Sequence, residues 1–263
     1  MGDVDPFVGS WGSGPWKSTV GVLVMGWAYR LARVVGPYPV VVLTLLIGAG
    51  SVVALTATSA EIYEAVAEED GVASLDQPAL RIAVRLRGPA VNALVTAYTD
   101  LGGPVGMSIL ATLATTALAV WARRWTPVVL MAAATAGSLL MTVVGKGLVG
   151  RIRPPLAEAV PPYESSPAFP SGHALNAVVV MGVLAYLLVL RQRHWRSRAL
   201  TIAAAGAFAV TMGLSRVLLG HHWLTDVLMA WTLGLAWLAV VVVAHRLYLA
   251  IRHIGTSRVP GVG

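Results

Sequence analysis

Three short strings in this chain combine residue types that can do chemistry. They are KGLVGRIRP (Lys146 to Pro154), PSGH (Pro170 to His173) and SRVLLGHHWLTD (Ser215 to Asp226), each beside a long apolar run. Lys146 and Arg153 are seven residues apart, about two helical turns. A continued helix places both on one face before Pro154-Pro155 stops it. With Arg216 they make a cationic cluster with few carboxylates nearby in the sequence. Such a cluster wants an anion with several oxygens, and an arginine fork fits phosphate well. Any one of the three is equally well read as a cation snorkelling to lipid headgroups on its own.

Ser171 stands where a helix N-cap belongs, after a proline and ahead of an apolar helix. Gly172 lets the backbone approach a ligand, and the free N–H groups of a first helical turn form an anion site that His173 also reaches. Alone, this stretch is also a plain cap with a surface histidine. His222 and Asp226 are four apart, which puts them on one face of a helix. The carboxylate accepts from one imidazole nitrogen, fixes the tautomer and raises the basicity of the other nitrogen. That pairing describes an activated nucleophile with its orienter, and a structural His–Asp hydrogen bond is the plainer alternative. His221 points roughly 100° away around such a helix and is assigned no role.

The elements that must position these groups follow from composition. The 263 residues are 57% hydrophobic and 12% charged, with a mean hydropathy of +0.74. Soluble domains carry roughly 25% charged residues, so this is a membrane protein. The absence of cysteine excludes disulfides and thiolate chemistry. The net charge of +7 fits arginines in cytoplasmic loops, with no nucleic-acid partner. A membrane helix needs about 20 mostly apolar residues. Six such runs stand out: Pro39 to Thr58, Gly103 to Ala122, Thr126 to Gly145, Ser171 to Leu190, Arg198 to Ser215 and His222 to Ala244. The segment 59–102 opens acidic and then alternates arginine with apolar residues around Gly88-Pro89, which reads as short interfacial helices on the external side. The expected fold is all-α: a polytopic bundle of six transmembrane helices with short interfacial helices between spans 1 and 2. Residues 1–36 are read as a cytoplasmic arm with an interfacial helix bearing Arg30 and Arg33, not a signal peptide. Residues 37–248 form the six-span domain, and 249–263 a cytoplasmic tail.

Alternation of spans places the three strings on one face of the membrane. Twelve lysines and arginines fall on the other side and seven on this one, so the positive-inside rule puts the termini in the cytoplasm and the strings on the extracytoplasmic face of the cell membrane. Ionisable residues at membrane depth mark function by default.

Taken together, KxxxxxxRP, PSGH and SRxxxxxHxxxD match the signature of the type-2 phosphatidic acid phosphatase superfamily, the lipid phosphate phosphatases. No motif residue departs from the pattern, and the similarity spans about Gly103 to Ala244. The resemblance implies metal-independent phosphoryl transfer through a phosphohistidine, with no cofactor. Carried over, His222 attacks phosphorus and Asp226 orients it, while His173 protonates the leaving oxygen and later activates water. Lys146, Arg153, Arg216 and the Ser171–Gly172 backbone hold the phosphoryl oxygens.

The partner so implied is a lipid phosphate or pyrophosphate within the bilayer. Polyprenyl pyrophosphate, phosphatidate and phosphatidylglycerol phosphate all fit. A composition rich in alanine, valine and arginine hints at a bacterium with a GC-rich genome, where recycling the undecaprenyl or decaprenyl carrier of cell-wall synthesis suits an outward site. The loop from Pro155 to Phe169 is expected to shape the mouth of the site. Three rivals are weighed. Two histidines and a carboxylate can hold a metal, but three cations repel one. A phosphotransferase differs only in its acceptor hydroxyl. A lipid transporter would place its charges at the midplane, not near one face. Oligomeric state is not legible.

Overall fold

Between Val41 and Thr58 the only polar side chains are threonines and one serine. In hydrocarbon such a segment satisfies its backbone only by closing its own hydrogen bonds as a helix. The computed structural model describes residues 38–256, with side chains over 41–252. The expected helix of the N-terminal arm lies outside the described residues. The long helices are α1 (Tyr38–Glu68), α4 (Pro104–Ala122), α5 (Thr126–Val149), α6 (Gly172–Arg191), α7 (Trp195–Leu218) and α8 (Leu224–Thr256). All six are long and apolar enough to cross a membrane. Between the first two lie α2 (Asp76–Leu86) and α3 (Pro89–Asp100), which at about 1.5 Å per residue are too short to cross. Helices α3, α4 and α5 each carry a proline in the first turn, where a missing N–H leaves no bond unmade.

Two helices run well past their expected ends. Helix α1 runs on past Thr58 to Glu68, so Glu61, Glu64 and Glu68 decorate its last turns rather than a surface segment. No glycine or proline interrupts residues 51–69, and the chain breaks only where Glu69 and Gly71 adopt positive φ. Ser59, inside this extension, donates to Leu55 and to the Thr232 hydroxyl of α8 at 2.8 Å, tying the two helices. Helix α8 likewise continues beyond Ala244 to Thr256.

Helix α6 is the centre of the bundle and packs against α4, α5, α7 and α8. Its Leu175, Val179, Val183 and Leu187, spaced by four, are fully buried. The outer helices turn Leu46, Leu113, Leu139 and Leu200 outward, where hydrocarbon is their solvent. Close helix approach depends on small residues. At Gly137 a Cβ would lie 2.1 Å from the indole of Trp237, whose N–H donates to the Ala134 carbonyl at 3.1 Å.

Antiparallel alternation brings the end of α5, the start of α6, the end of α7 and the start of α8 together. Helices α2 and α3 pack on α7 at this same end. At their corner Arg87 donates to the Leu218 and Glu158 carbonyls, both at 2.6 Å, pinning the α7 terminus to the loop before α6. Burial lowers the Arg87 pKa, and Glu158 opposes that effect.

Candidate active site

The cations reach one another through a loop. Helix α5 stops at Val149 because Gly150 takes φ +62°. Arg153 therefore does not continue the helix face of Lys146; it arrives from the loop beyond. Lys146 Nζ donates to the Ser166 hydroxyl and the Pro167 carbonyl, both at 2.7 Å. Arg153 donates to the Ser166 carbonyl at 2.6 Å and hydroxyl at 3.1 Å, and pairs with Glu164 Oε2 at 2.7 Å. Arg216, buried in the last turn of α7, pairs with the other oxygen of Glu164 and donates to Thr99 of α3 at 3.3 Å. Lys146, Arg153 and Arg216 thus share the segment 164–167. The expectation of few carboxylates nearby needs correcting, since Glu164 stands among them. Burial alone would raise its pKa, but Arg216 and then Arg153 outweigh burial and hold it at about 2.

His222 and Asp226 do meet, though not on one helix face. Helix α8 begins only at Leu224, and His222 lies in the turn before it. Backbone bonds to the Arg216 carbonyl hold this turn, from His221 N at 3.0 Å and His222 N at 3.3 Å. Gly220, at φ +71°, permits it; a Cβ there would lie 2.2 Å from the Glu158 carbonyl. His222 Nδ1 faces Asp226 Oδ2 at 3.3 Å, and Nε2 lies 3.2 Å from Arg153 Nη1. A guanidinium only donates, so Nε2 accepts and the ring proton sits on Nδ1, toward Asp226. Burial first, then Arg153 and Arg216, push the His222 pKa well below its ordinary value, which keeps the ring neutral.

Asp226 has a second partner that the spacing did not reveal. Arg151 donates to its Oδ1 at 2.6 Å, and Trp223 N–H to its Oδ2 at 2.8 Å. Arg151 also reaches Asp76 of α2 at 2.7 Å and the Thr225 hydroxyl at 2.7 Å, with Trp223 5.7 Å from the guanidinium. Asp76 accepts in turn from Thr225 N at 2.8 Å and Thr225 Oγ1 at 2.6 Å. It thereby caps the start of α8 from another helix.

Ser171 is the N-cap residue of α6 by position, but its side chain makes no capping bond; the buried hydroxyl has no partner among the described residues. Its N–H donates to the Asp226 carbonyl at 3.1 Å. Gly172 sits tight on Thr142, where a Cβ would lie 3.2 Å from the methyl. His173, on the first turn of α6, lies against Gly103, with Arg216, Glu164 and His222 as its charged or titratable neighbours. His221 pairs with the Val160 carbonyl at 2.7 Å, anchoring the loop between α5 and α6. Burial, then Arg216, lowers its pKa.

Arg151 and Asp76 escaped the sequence reading because neither belongs to a repeating pattern. The one available signal was Arg151's place two residues before Arg153. The described residues define a polytopic helical membrane protein with a buried centre of cations, histidines and one shared aspartate at one end of its bundle. Residues 126–248 match the model of the PAP2 superfamily. Over 175 residues, 66% of this chain and 85% of that protein, the chain is 34% identical to phosphatidylglycerophosphatase B of Bacillus subtilis (strain 168). It is similar to the crystal structure of the first transmembrane PAP2 type phosphatidylglycerolphosphate phosphatase from Bacillus subtilis. There the TM-score is 0.64 at 32% identity, covering 73% of this chain and 94% of that one. Aquifex aeolicus LpxE shares the fold at a TM-score of 0.51 and 18% identity, covering 64% of this chain and 94% of that one. The chain belongs to the PAP2 superfamily. It is a membrane lipid phosphatase, a phosphoric ester hydrolase.

Proposed function

We propose that this phosphatase hydrolyses a lipid phosphate through a phosphohistidine, without a metal, at the extracytoplasmic face of the cell membrane. The observation that carries the reading is the orientation of His222. Its Nδ1 faces Asp226 and its Nε2 lone pair faces Arg153, among the cations. Nε2 attacks phosphorus in line, the ester P–O bond breaks, and His173 donates a proton to the leaving alkoxide. Water, deprotonated by His173, then cleaves the phosphorus–nitrogen bond and frees inorganic phosphate. Lys146, Arg153, Arg216, the Gly172 N–H and the unpartnered Ser171 hydroxyl hold the equatorial oxygens, where the transition state spreads its charge.

The substrate in the name of the Bacillus subtilis relative, phosphatidylglycerol phosphate, is the first to test, ahead of the polyprenyl pyrophosphate that composition favoured. An apolar groove of about 510 Å³ supports a lipid substrate. It lies between α2, α3 and α7, lined by Ile82, Leu86, Val95 and Leu214, and it includes Ser215 beside Arg216. The outward orientation rests on the twelve-to-seven distribution of lysine and arginine.

The test is phosphate release from phosphatidylglycerol phosphate in detergent with excess EDTA. Wild type is expected to turn over under chelation, and His222→Ala to lose at least about 10³-fold in kcat. Equal rates in the two proteins would remove His222 as nucleophile. Loss of wild-type activity in EDTA, restored by added metal, would overturn the metal-free reaction.

A further inference from the structure

All three cations assigned to the phosphoryl group are engaged by one short segment. Glu164 gives one carboxylate oxygen to Arg153 and the other to Arg216. Ser166 and Pro167 accept from Lys146 and from Arg153. The two carboxylate oxygens, one hydroxyl and two carbonyls present an array of acceptors like that of a phosphate. The carboxylate is the charged member of that array, and its side chain is 30% exposed within the loop between α5 and α6, so it can leave without unfolding a helix. Arg216 is buried, and its carboxylate partner is the charge that neutralises it there.

We propose that Glu164 sets the affinity of the phosphoryl seat by acting as a tethered internal competitor for it. The inference rests on reading Lys146, Arg153 and Arg216 as that seat. A tethered group competes at an effective concentration in the mM range. The carboxylate is opposite in charge to the arginines and occupies their donors, so an incoming phosphoryl group must displace it. A phosphate ester anchored by its tail is concentrated in the membrane beside the seat and wins the exchange. Inorganic phosphate, released by the reaction and held by nothing but the same cations, loses it. The carboxylate returns as the product leaves, and product inhibition stays weak. Water-soluble phosphate esters at low concentration are kept out by the same threshold.

The test is isothermal titration of inorganic phosphate into the full chain in a phosphate-free detergent at pH 8, comparing wild type with Glu164→Gln. Glutamine keeps the size of the side chain and removes the charge. Phosphate is expected to bind Glu164→Gln at least about tenfold more tightly. The inhibition constant for phosphate during lipid hydrolysis should fall by the same factor. Adding Arg216→Ala to Glu164→Gln should reverse the gain. A dissociation constant within about twofold of wild type, or weaker binding in Glu164→Gln, would overturn the inference and make Glu164 a loop anchor only. A gain that survives Arg216→Ala would place the phosphate elsewhere and overturn it too. Phosphate binding to neither protein would overturn the seat itself, and the proposed function with it.

Discussion

Replacing Arg151 by methionine removes the charge from the most connected side chain of the site while keeping most of its volume. Asp226 is fully buried and would lose its 2.6 Å partner, keeping only the Trp223 N–H and the longer contact to His222. Asp76 would keep only Thr225. Removing one member of a buried pair typically costs about 3–5 kcal/mol. The Arg151 side chain is 18% exposed, which places the expected loss toward about 3 kcal/mol. The chemical effect is separate. An unpaired buried carboxylate takes up a proton, and a protonated Asp226 no longer holds the His222 proton on Nδ1. A misoriented histidine tautomer costs up to about 10⁴ in kcat, so a drop of about 10²–10⁴ is expected here. The polar contacts of Arg151 run to Asp76, Thr225 and Asp226, away from Lys146 and Arg216. KM should therefore change little. The assay pairs thermal unfolding in detergent with kcat and KM for lipid phosphate hydrolysis. Asp76→Asn, which keeps an acceptor for Thr225, should move both readouts in the same direction by less. A kcat for Arg151→Met within about threefold of wild type, with an unchanged melting temperature, would refute the reasoning. So would a loss confined to KM.

The depressed pKa of His222 sets the pH dependence. A group whose pKa falls stays neutral to lower pH, so kcat/KM should show no limb from protonation of His222 near pH 6.5. Because Arg153 contributes to that depression after burial, Arg153→Met should shift any acid limb upward; profiles that superimpose would show that Arg153 does not tune the histidine. Gly220→Ala puts a side chain at φ +71° and against the Glu158 carbonyl, and should cost at least about 1–3 kcal/mol along with activity; wild-type melting and turnover would contradict that geometry.

The six spans were legible because hydrocarbon imposes a length and a composition on any helix that crosses it. The three strings were legible because ionisable side chains at the ends of such spans have few bland explanations. The extension of α1 to Glu68 was hidden by its acidic residues, which read as surface yet belong to a helix with nothing to break it. The four-residue spacing of His222 and Asp226 imitated a helix face, while a turn bonded to the Arg216 carbonyl delivers the pair instead. Arg151, Asp76 and Glu164 were illegible for a different reason. Each has a partner far along the chain, 52 residues away between Glu164 and Arg216 and 149 between Asp76 and Thr225, and no local pattern encodes such a contact.

That last contact bears on how the protein is made. Asp76 lies among the first residues of the described chain to be synthesised, and it closes onto the first turn of the last helix. Until α8 is threaded into the bilayer, Asp76 and Arg151 have only each other, and the proposed site lacks His222 and Asp226. A ribosome-bound chain halted before His222 is therefore expected to release no phosphate from the lipids around it. The stretch that carries the family signature, residues 126–248, likewise excludes Asp76. Expressed alone, it would keep the Arg151–Asp226 pair but lose the carboxylate that bonds Thr225 at the start of α8. The proposed site is complete only when a helix made early and the helix made last meet through Asp76, Arg151 and Thr225.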